Sequence, residues 1–483
     1  MAMAAGGGRI GAYGAREVYE GQQLVAAGLT LLQRSAPLVR ALSGKRSAIL
    51  LPTSPAFIVA LAASDGRGAV LINPLASPAE ISFQCANANV GAVFTTAAFV
   101  ARLPMGFPYV LLDDAPGAAQ VVTPDRTAAI DLGTHHGLSL EGEADVDGRD
   151  EEAVIVYTSA MRGTPLGAVL THANLLANAR SSIDALGNTA DDHVLAILPY
   201  SHLFGLTVTA SAPLMVGARI TTMERFHPAR TAELLLAGIT EVVGVPAVYA
   251  AMLAAIVRKE IDLRDTAVRL CICGGAALPI DLQDRWADVT GHELRQGYGL
   301  TEAAPVCLVN RADAPNVRGT MGTAFPNVDV GIFPPSDYSG REGDSAVLPD
   351  ALPDGTAGEI CVRGTNVFRG YVSGGPGLPK RGEWLCTGDS GVRNAGGTVR
   401  FLGLLKPMFT RNGFNIYPRE LERAVGELHG VLGVEVTPIP EPAKENDIRM
   451  RVTGSVTEGD VRAWCESRLS AYKQPSVIEI IPA

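Results

Sequence analysis

Val154-Ile155-Val156-Tyr157-Thr158-Ser159-Ala160-Met161-Arg162-Gly163-Thr164-Pro165-Leu166-Gly167 is the stretch on which the reading of this chain turns. An apolar run enters a cluster of hydroxyls and small residues. Residues 173–186 follow, with Leu175, Leu176, Ala179, Ile183 and Leu186 on one helical side. The sequence therefore predicts a strand, a polar turn and a helix. Backbone N–H groups and hydroxyls in such a turn are suited to cradling phosphate oxygens, which need many donors at close range. The same residues equally describe an ordinary polar turn. The Gly-Lys-Ser/Thr ending of a P-loop is absent, so that nucleotide-binding class is not indicated.

Outward from this stretch, short apolar runs alternate with helical patterns. Residues 48–51 form a strand candidate ended by Pro52, residues 56–63 carry Phe57 and Leu61 at helical spacing, and 69–72 and 92–95 are further strand candidates. Strands separated by helices imply parallel sheets with crossover connections, an α/β architecture. Residues 113–150 turn polar and small with little periodicity and are expected to form a surface connection or subdomain boundary; residues 334–358 are expected to be a solvent-exposed insertion. After Lys406 the pattern changes to a small α+β unit. Leu421, Val425 and Leu428 share a helical face, 431–439 alternates like a strand, Val461, Trp464, Cys465 and Leu469 mark a second helix, and 477–481 is an apolar run.

Composition bounds the function. The length of 483 residues exceeds one ordinary domain. Lys plus Arg number 40 against 50 Asp plus Glu, a net charge of -10 with no basic cluster, so neither nucleic acid nor a membrane surface is an expected partner. Seven scattered cysteines show no zinc-ligand spacing and read as reduced, mostly buried thiols of a cytoplasmic protein. Residues 1–8 carry no signal-peptide pattern. Residues 194–218 lack Asp, Glu, Lys and Arg, long enough to span a bilayer, but Pro199, His202, Thr207, Thr209 and Pro213 interrupt them; they are expected to be buried wall and not a transmembrane segment.

Four further islands carry chemistry. Leu198-Pro199-Tyr200-Ser201-His202-Leu203-Phe204-Gly205 sets a lone His in apolar surroundings. Cys271-Ile272-Cys273-Gly274-Gly275-Ala276 is a strand ending in bare backbone. Gln296-Gly297-Tyr298-Gly299-Leu300-Thr301-Glu302 joins an aromatic face, a hydroxyl and a carboxylate. Trp384-Leu385-Cys386-Thr387-Gly388-Asp389 puts a carboxylate in a tight turn. In order and spacing these islands resemble the adenylate-forming superfamily of acyl-CoA synthetases, peptide-synthetase adenylation domains and luciferase-like ligases. The likeness extends to Gly358-Glu359-Ile360-Cys361-Val362-Arg363-Gly364 with Gly370-Tyr371, to residues 412–422, and to Tyr472-Lys473-Gln474-Pro475.

The resemblance implies a large multi-subdomain N-terminal body, residues 1–405, that binds AMP and an acyl group, and a short C-terminal α+β lid domain, residues 406–483. It implies ATP and Mg²⁺, a small-molecule carboxylic acid, and a thiol acceptor, either coenzyme A or a phosphopantetheine on a separate acyl carrier protein. Thr158, Ser159, Gly163, Thr164 and Gly167 match the phosphate-cradling loop. Thr301 and Glu302 match the hydroxyl and carboxylate that hold phosphate and metal. Tyr298 and Gly299, with Gly274, Gly275 and Ala276 on the other side, match the adenine site, and Asp389 the ribose site. His202 stands beside the reacting carboxylate, and Asn412, Gly413 and Asn415 match the lid loop at the thiol channel. The acyl pocket is expected from residues 203–208, 244–246, Tyr249 and the glycines before Ala276; these are apolar or small, which favours a hydrophobic monocarboxylic acid, fatty before aryl.

The departures from the family pattern concern charge. Leu166 stands at a customary lysine, Ala160 at a glycine, Leu404 at the ribose-binding arginine and Pro407 at the acidic hinge residue; the sequence stops at Ala483, before the Gly-Lys expected beyond residues 478–482. Two readings follow: an acyl-activating ligase with weakened or altered adenylation, or a catalytically silent nucleotide- or acyl-binding partner of a biosynthetic enzyme.

Overall fold

Apolar runs flanked by helices on both sides fold as parallel strands, because only a doubly covered sheet can bury both faces of such a run. In the computed structural model, which describes residues 6–14, 18–35, 45–64, 68–112, 117–132, 150–158, 164–336, 350–372, 374, 378–441 and 445–482, the strands Arg46–Leu50, Ala69–Leu71, Val90–Thr95 and Glu152–Thr158 pair in parallel. They form the middle of a nine-stranded sheet. A second nine-stranded sheet has a parallel centre of Leu294–Gly299, Leu270–Cys273, Glu241–Gly244, His193–Ala196 and Arg219–Thr222. One core takes Ile49, Leu71 and Val156 from the first sheet and Val194, Ile220 and Ile272 from the second.

The helices begin and end where their caps dictate. Pro78–Asn87 opens on a reciprocal capping box between Ser77 and Glu80 with Pro78 in the first turn, and His172–Leu186 opens on Thr171 and Asn174 and stops at left-handed Gly187. The strand Glu152–Thr158 turns antiparallel into Leu166–Thr171, which leads into the second of these helices. The expected strand and helix are present, residues 159–163 of the expected turn lie outside the described residues, and residues 166–171 are a second strand before the helix.

A third, antiparallel sheet of Val328–Phe333, Ala357–Gly364, Lys380–Arg381, Trp384–Arg393 and Val399–Leu404 completes the body. The C-terminal domain has its own core of Leu421, Val425, Val436, Met450, Val461 and Cys465, built from the helices Pro418–Gly426 and Glu458–Arg468 and a three-stranded sheet.

Several expectations are corrected. Within 113–150, Ala118–Thr123 and Arg126–Asp131 form a hairpin that extends the edge of the first sheet; with only Val121, Val122 and Ile130 as large apolar residues, the two strands give too weak a hydrophobic pattern to announce it. The insertion expected at 334–358 is anchored at its start, where buried Ser336 donates its N–H to Glu359 at 2.7 Å. Glu445–Gly454, the middle strand of the C-terminal sheet, is not among the elements expected from sequence, although Ile448, Met450 and Val452 alternate with charged residues. Residues 194–218 resolve into the strand His193–Ala196 and short, mostly buried helical turns. No helix among the described residues is long and apolar enough to cross a membrane. All seven cysteines are buried and unbridged.

Candidate active site

The C-terminal ends of parallel strands converge on one cavity of about 1080 Å³, roofed by the C-terminal domain. Concave space at strand ends is where α/β sheets ordinarily take ligands. Thr158, Thr164, His202, Gly274, Gly275, Ala276, Tyr298, Gly299, Thr301, Glu302, Asp389, Asn412, Gly413 and Asn415 all line it. Gly167 is not among the lining residues. It is buried in its strand, where a Cβ would lie 3.0 Å from Ile155, Tyr157 and Val372, so packing accounts for this glycine. Ser159 and Gly163 lie outside the described residues.

The polar end is an ordered network. Tyr298 ends the strand Leu294–Gly299, and its hydroxyl donates to Asp389 Oδ2 at 2.7 Å. Lys406 Nζ lies 3.2 Å from Asp389 Oδ1, with both side chains only 8% exposed, and donates to the Thr387 carbonyl at 2.9 Å. Burial opposes the Lys406 charge, but Asp389, Tyr417 and Glu302 outweigh it and raise its pKa. The site thus holds a firm cation. Tyr417 is pushed up to about 12 by burial, against the pull of Lys406. Glu302 sits in the short turn Thr301–Ala303, accepts from the Tyr371 hydroxyl at 2.8 Å, and has its pKa raised by burial.

The other end is apolar. Phe204 lies across Gly274, where a Cβ would come 3.1 Å from the ring, so a side chain at 274 would displace the Phe204 wall. Val208, Ile272, Val309 and Phe325 continue the lining. His202 Nδ1 accepts from the Phe204 N–H at 3.2 Å. Its accessible face opens onto the cavity, and desolvation there lowers its pKa, which favours a neutral imidazole. Tyr249, expected in this wall, is instead fully buried behind it: its single hydroxyl proton is shared between the Val242 and Ile272 carbonyls, at 2.8 and 3.0 Å, and its ring meets Trp286 edge-on.

The C-terminal domain closes the cavity at three places. Gly413, in the hairpin of Phe409–Arg411 and Phe414–Ile416, approaches Val245 so closely that a Cβ would lie 2.9 Å from Cγ1. Lys473 bridges Glu420 of its own domain at 2.6 Å and Glu80 of the body at 2.8 Å. Arg423 donates to the Thr164 hydroxyl.

With this geometry in view, the comparisons are decisive. Residues 17–372 match the profile of the AMP-binding enzymes. The chain belongs to the AMP-binding enzyme family. A long-chain-fatty-acid–CoA ligase of Bacillus subtilis is 27% identical over 475 residues, covering 90% of this chain and 82% of the relative. A feruloyl-CoA synthase of an Amycolatopsis species is 30% identical over 461 residues, covering 90% and 84%. Among solved structures, a malonyl-CoA ligase with methylmalonyl-CoA and AMP bound superposes with a TM-score of 0.79 at 25% identity, covering 99% of this chain and 97% of that one.

Four cavity residues of this AMP-binding enzyme escaped the sequence reading: Lys406, Tyr371, Tyr417 and Arg423. Lys406 stands two positions after Leu404, where a cation is sought and not found, and the chain needs only those two residues to bring a charge to Asp389. Gly370-Tyr371 was visible as a motif without a role. Arg423 has no local signal: it is one exposed residue of an amphipathic helix, and only domain docking takes it to Thr164.

Proposed function

We propose that the chain is an ATP-dependent acyl-activating ligase acting on a hydrophobic monocarboxylic acid. The acid's carboxylate attacks the α-phosphorus of ATP, releasing pyrophosphate and giving acyl-AMP. The sulfur of coenzyme A or of a carrier-protein phosphopantetheine then attacks the acyl carbon; the bond to AMP breaks, the thiol proton is lost, and a thioester remains. The single observation that carries this reading is the continuity of one cavity. Its polar end holds Tyr298, Asp389, Lys406 and Glu302, and its apolar end Phe204, Val208 and Ile272. Relatives named for long-chain fatty acids and for ferulate support an acid with a large apolar body.

In this reading Tyr298 and the Gly274–Ala276 backbone flank adenine, Asp389 and Lys406 meet the ribose side, and Thr158, Thr164 and Thr301 face phosphate. His202 stands as a neutral imidazole beside the reacting carboxylate. The Glu302 carboxylate and Thr301 hydroxyl are hard oxygen donors at the cavity wall, a set that fits Mg²⁺ shared with ATP phosphates; when bound, the ion supplies charge neutralisation there. The domain boundary falls at 405/406, and the 412–415 loop against Val245 supports a role for the C-terminal domain in the thiol step.

The first step is slowed in this proposal, because Leu166, Leu404 and Pro407 replace charged positions of the family pattern. Losing one transition-state contact of this kind costs about 3 kcal/mol, about a hundredfold in rate. The test is carboxylate-dependent exchange of pyrophosphate into ATP across fatty and aryl acids. Slow but acid-dependent exchange supports the proposal; ATP binding with no exchange for any acid favours a silent binding protein.

A further inference from the structure

We propose that Glu80 is a positioning residue for the thiol step, the carboxylate through which the body latches the C-terminal domain in the pose that sets the 412–415 loop against Val245. This rests on the ligase reading above. Ser77 and Glu80 form the capping box that opens the helix Pro78–Asn87. Glu80 Oε2 accepts from the Ser77 N–H at 2.7 Å, and the Ser77 hydroxyl accepts from the Glu80 N–H at 3.2 Å. Each side chain keeps hydrogen-bonding capacity beyond the cap, and the C-terminal domain uses both. Glu80 Oε1 accepts from Lys473 Nζ at 2.8 Å and from the Ser470 hydroxyl at 3.2 Å, and the Ser77 hydroxyl donates to the Arg468 carbonyl at 2.8 Å. The cap fixes both side chains before the domain arrives, so docking costs little rotamer entropy on the body side.

The contact can also break without stranding a charge. Lys473 and Glu420, 2.6 Å apart, belong to the same domain and move together, whereas the Ser77 N–H stays with Glu80 on the body. When the domain leaves, Lys473 keeps a carboxylate and Glu80 keeps its cap and gains water. In the docked pose the Lys473 side chain is only 5% exposed and that of Glu80 12%. Burial opposes the Lys473 charge, but Tyr472, Glu420 and Glu80 outweigh it and raise its pKa, so the lysine stays charged. A charged hydrogen bond shielded from water in this way is worth more than an exposed pair. Glu80, Glu420 and Lys473 all line the cavity, so the latch adjoins the reaction space.

Glu80→Gln tests this on the full chain, because Gln also completes a capping box and so keeps the helix while removing the charge that meets Lys473. The pose is read from the distance between spin labels at Arg285→Cys and Ala463→Cys, exposed sites on the body and the C-terminal domain; the seven native cysteines are buried. Glu80→Gln is expected to lower the ratio of docked to undocked distances about tenfold, and Ser470→Ala to lower it less. Thioester formation from supplied acyl-AMP and coenzyme A should fall in proportion to the docked fraction, while pyrophosphate exchange is not slowed. An unchanged ratio in Glu80→Gln overturns the latch and leaves the ligase reading intact. A lowered ratio overturns the assignment to the thiol step if thioester formation does not follow the docked fraction, or if exchange falls equally. If the unaltered chain performs neither step, the ligase reading fails and takes the assignment to the thiol step with it.

Discussion

Gly413→Ala is expected to separate the two half-reactions. Gly413 has φ of +76°, a left-handed conformation that costs an L-residue about 1–2 kcal/mol. The added Cβ would lie 2.9 Å from Val245 Cγ1 and 3.2 Å from its Cβ and Cγ2, contacts that require the hairpin or the body to shift. Overpacking of this kind costs about 1–3 kcal/mol. The left-handed strain is carried docked or undocked, so only the overpacking against Val245, about 1–3 kcal/mol, counts against the docked pose, about tenfold to a hundredfold in its population. The hairpin joins the core of the C-terminal domain through Phe409 and Ile416, which pack with Leu421, Val425, Met450 and Val461; Gly413 itself is outside that core, so the core packing is kept. The assay is a pair of rates on one protein: pyrophosphate exchange for the first step, and thioester formation from supplied acyl-AMP and coenzyme A for the second. Exchange should stay near the unaltered rate while thioester formation falls about tenfold to a hundredfold. Equal losses in both rates, or none in either, would show that the contact between Gly413 and Val245 does not govern the thiol step.

Three further outcomes are expected. Lys406→Met leaves Asp389 as a buried carboxylate without its cation, and should destabilise the protein by about 3–5 kcal/mol in chemical denaturation and abolish tight ATP binding; pairing it with Asp389→Asn should recover stability but not nucleotide, and an unchanged midpoint for the single variant refutes the pair's role. Glu302→Gln should weaken Mg-ATP much more than metal-free AMP in titration calorimetry; equal affinities would remove Glu302 from the metal site. Stability should fall as pH rises through the range between 4.5 and about 8, because burial raises Glu241 from 4.5 to about 8 so that the folded state keeps a proton the unfolded chain releases. Glu241 is fully buried, and its contribution is roughly 3–5 kcal/mol, complete below pH 4.5 and lost by pH 8; Glu241→Gln should flatten that slope, and a slope unchanged by the substitution would assign it elsewhere.

What was legible in the sequence follows from the range of the forces involved. Strands such as Glu152–Thr158 and Leu270–Cys273 announce themselves because a doubly covered strand must be continuously apolar, and the helix His172–Leu186 because Leu175, Leu176, Ala179, Ile183 and Leu186 recur at helical spacing. The hairpin of Ala118–Thr123 and Arg126–Asp131 and the strand Glu445–Gly454 stayed hidden. The edge hairpin holds few large apolar residues, and in Glu445–Gly454 the alternation of Ile448, Met450 and Val452 with charged residues covers only half of the strand. Motifs gave the cavity's floor, from Tyr298 near the end of the strand Leu294–Gly299 to Asp389, which stands inside the strand Trp384–Arg393 and not in the tight turn expected there. They did not give Lys406, whose charge reaches Asp389 from outside the expected arginine position, or Arg423, which depends on how one domain docks on another. Tyr249 shows the opposite error: an aromatic next to a cavity motif, turned by its helix into the core against Trp286.

The central claim is that this chain joins a hydrophobic carboxylic acid to a thiol at the expense of ATP. Mass spectrometric analysis of the chain incubated with Mg-ATP, coenzyme A and a panel of fatty and aryl acids tests it most directly. The account predicts an acyl-coenzyme A product for at least one acid, with one AMP and one pyrophosphate formed for each thioester. ATP bound but left intact with every acid, with no acyl-AMP or thioester detected, would contradict it.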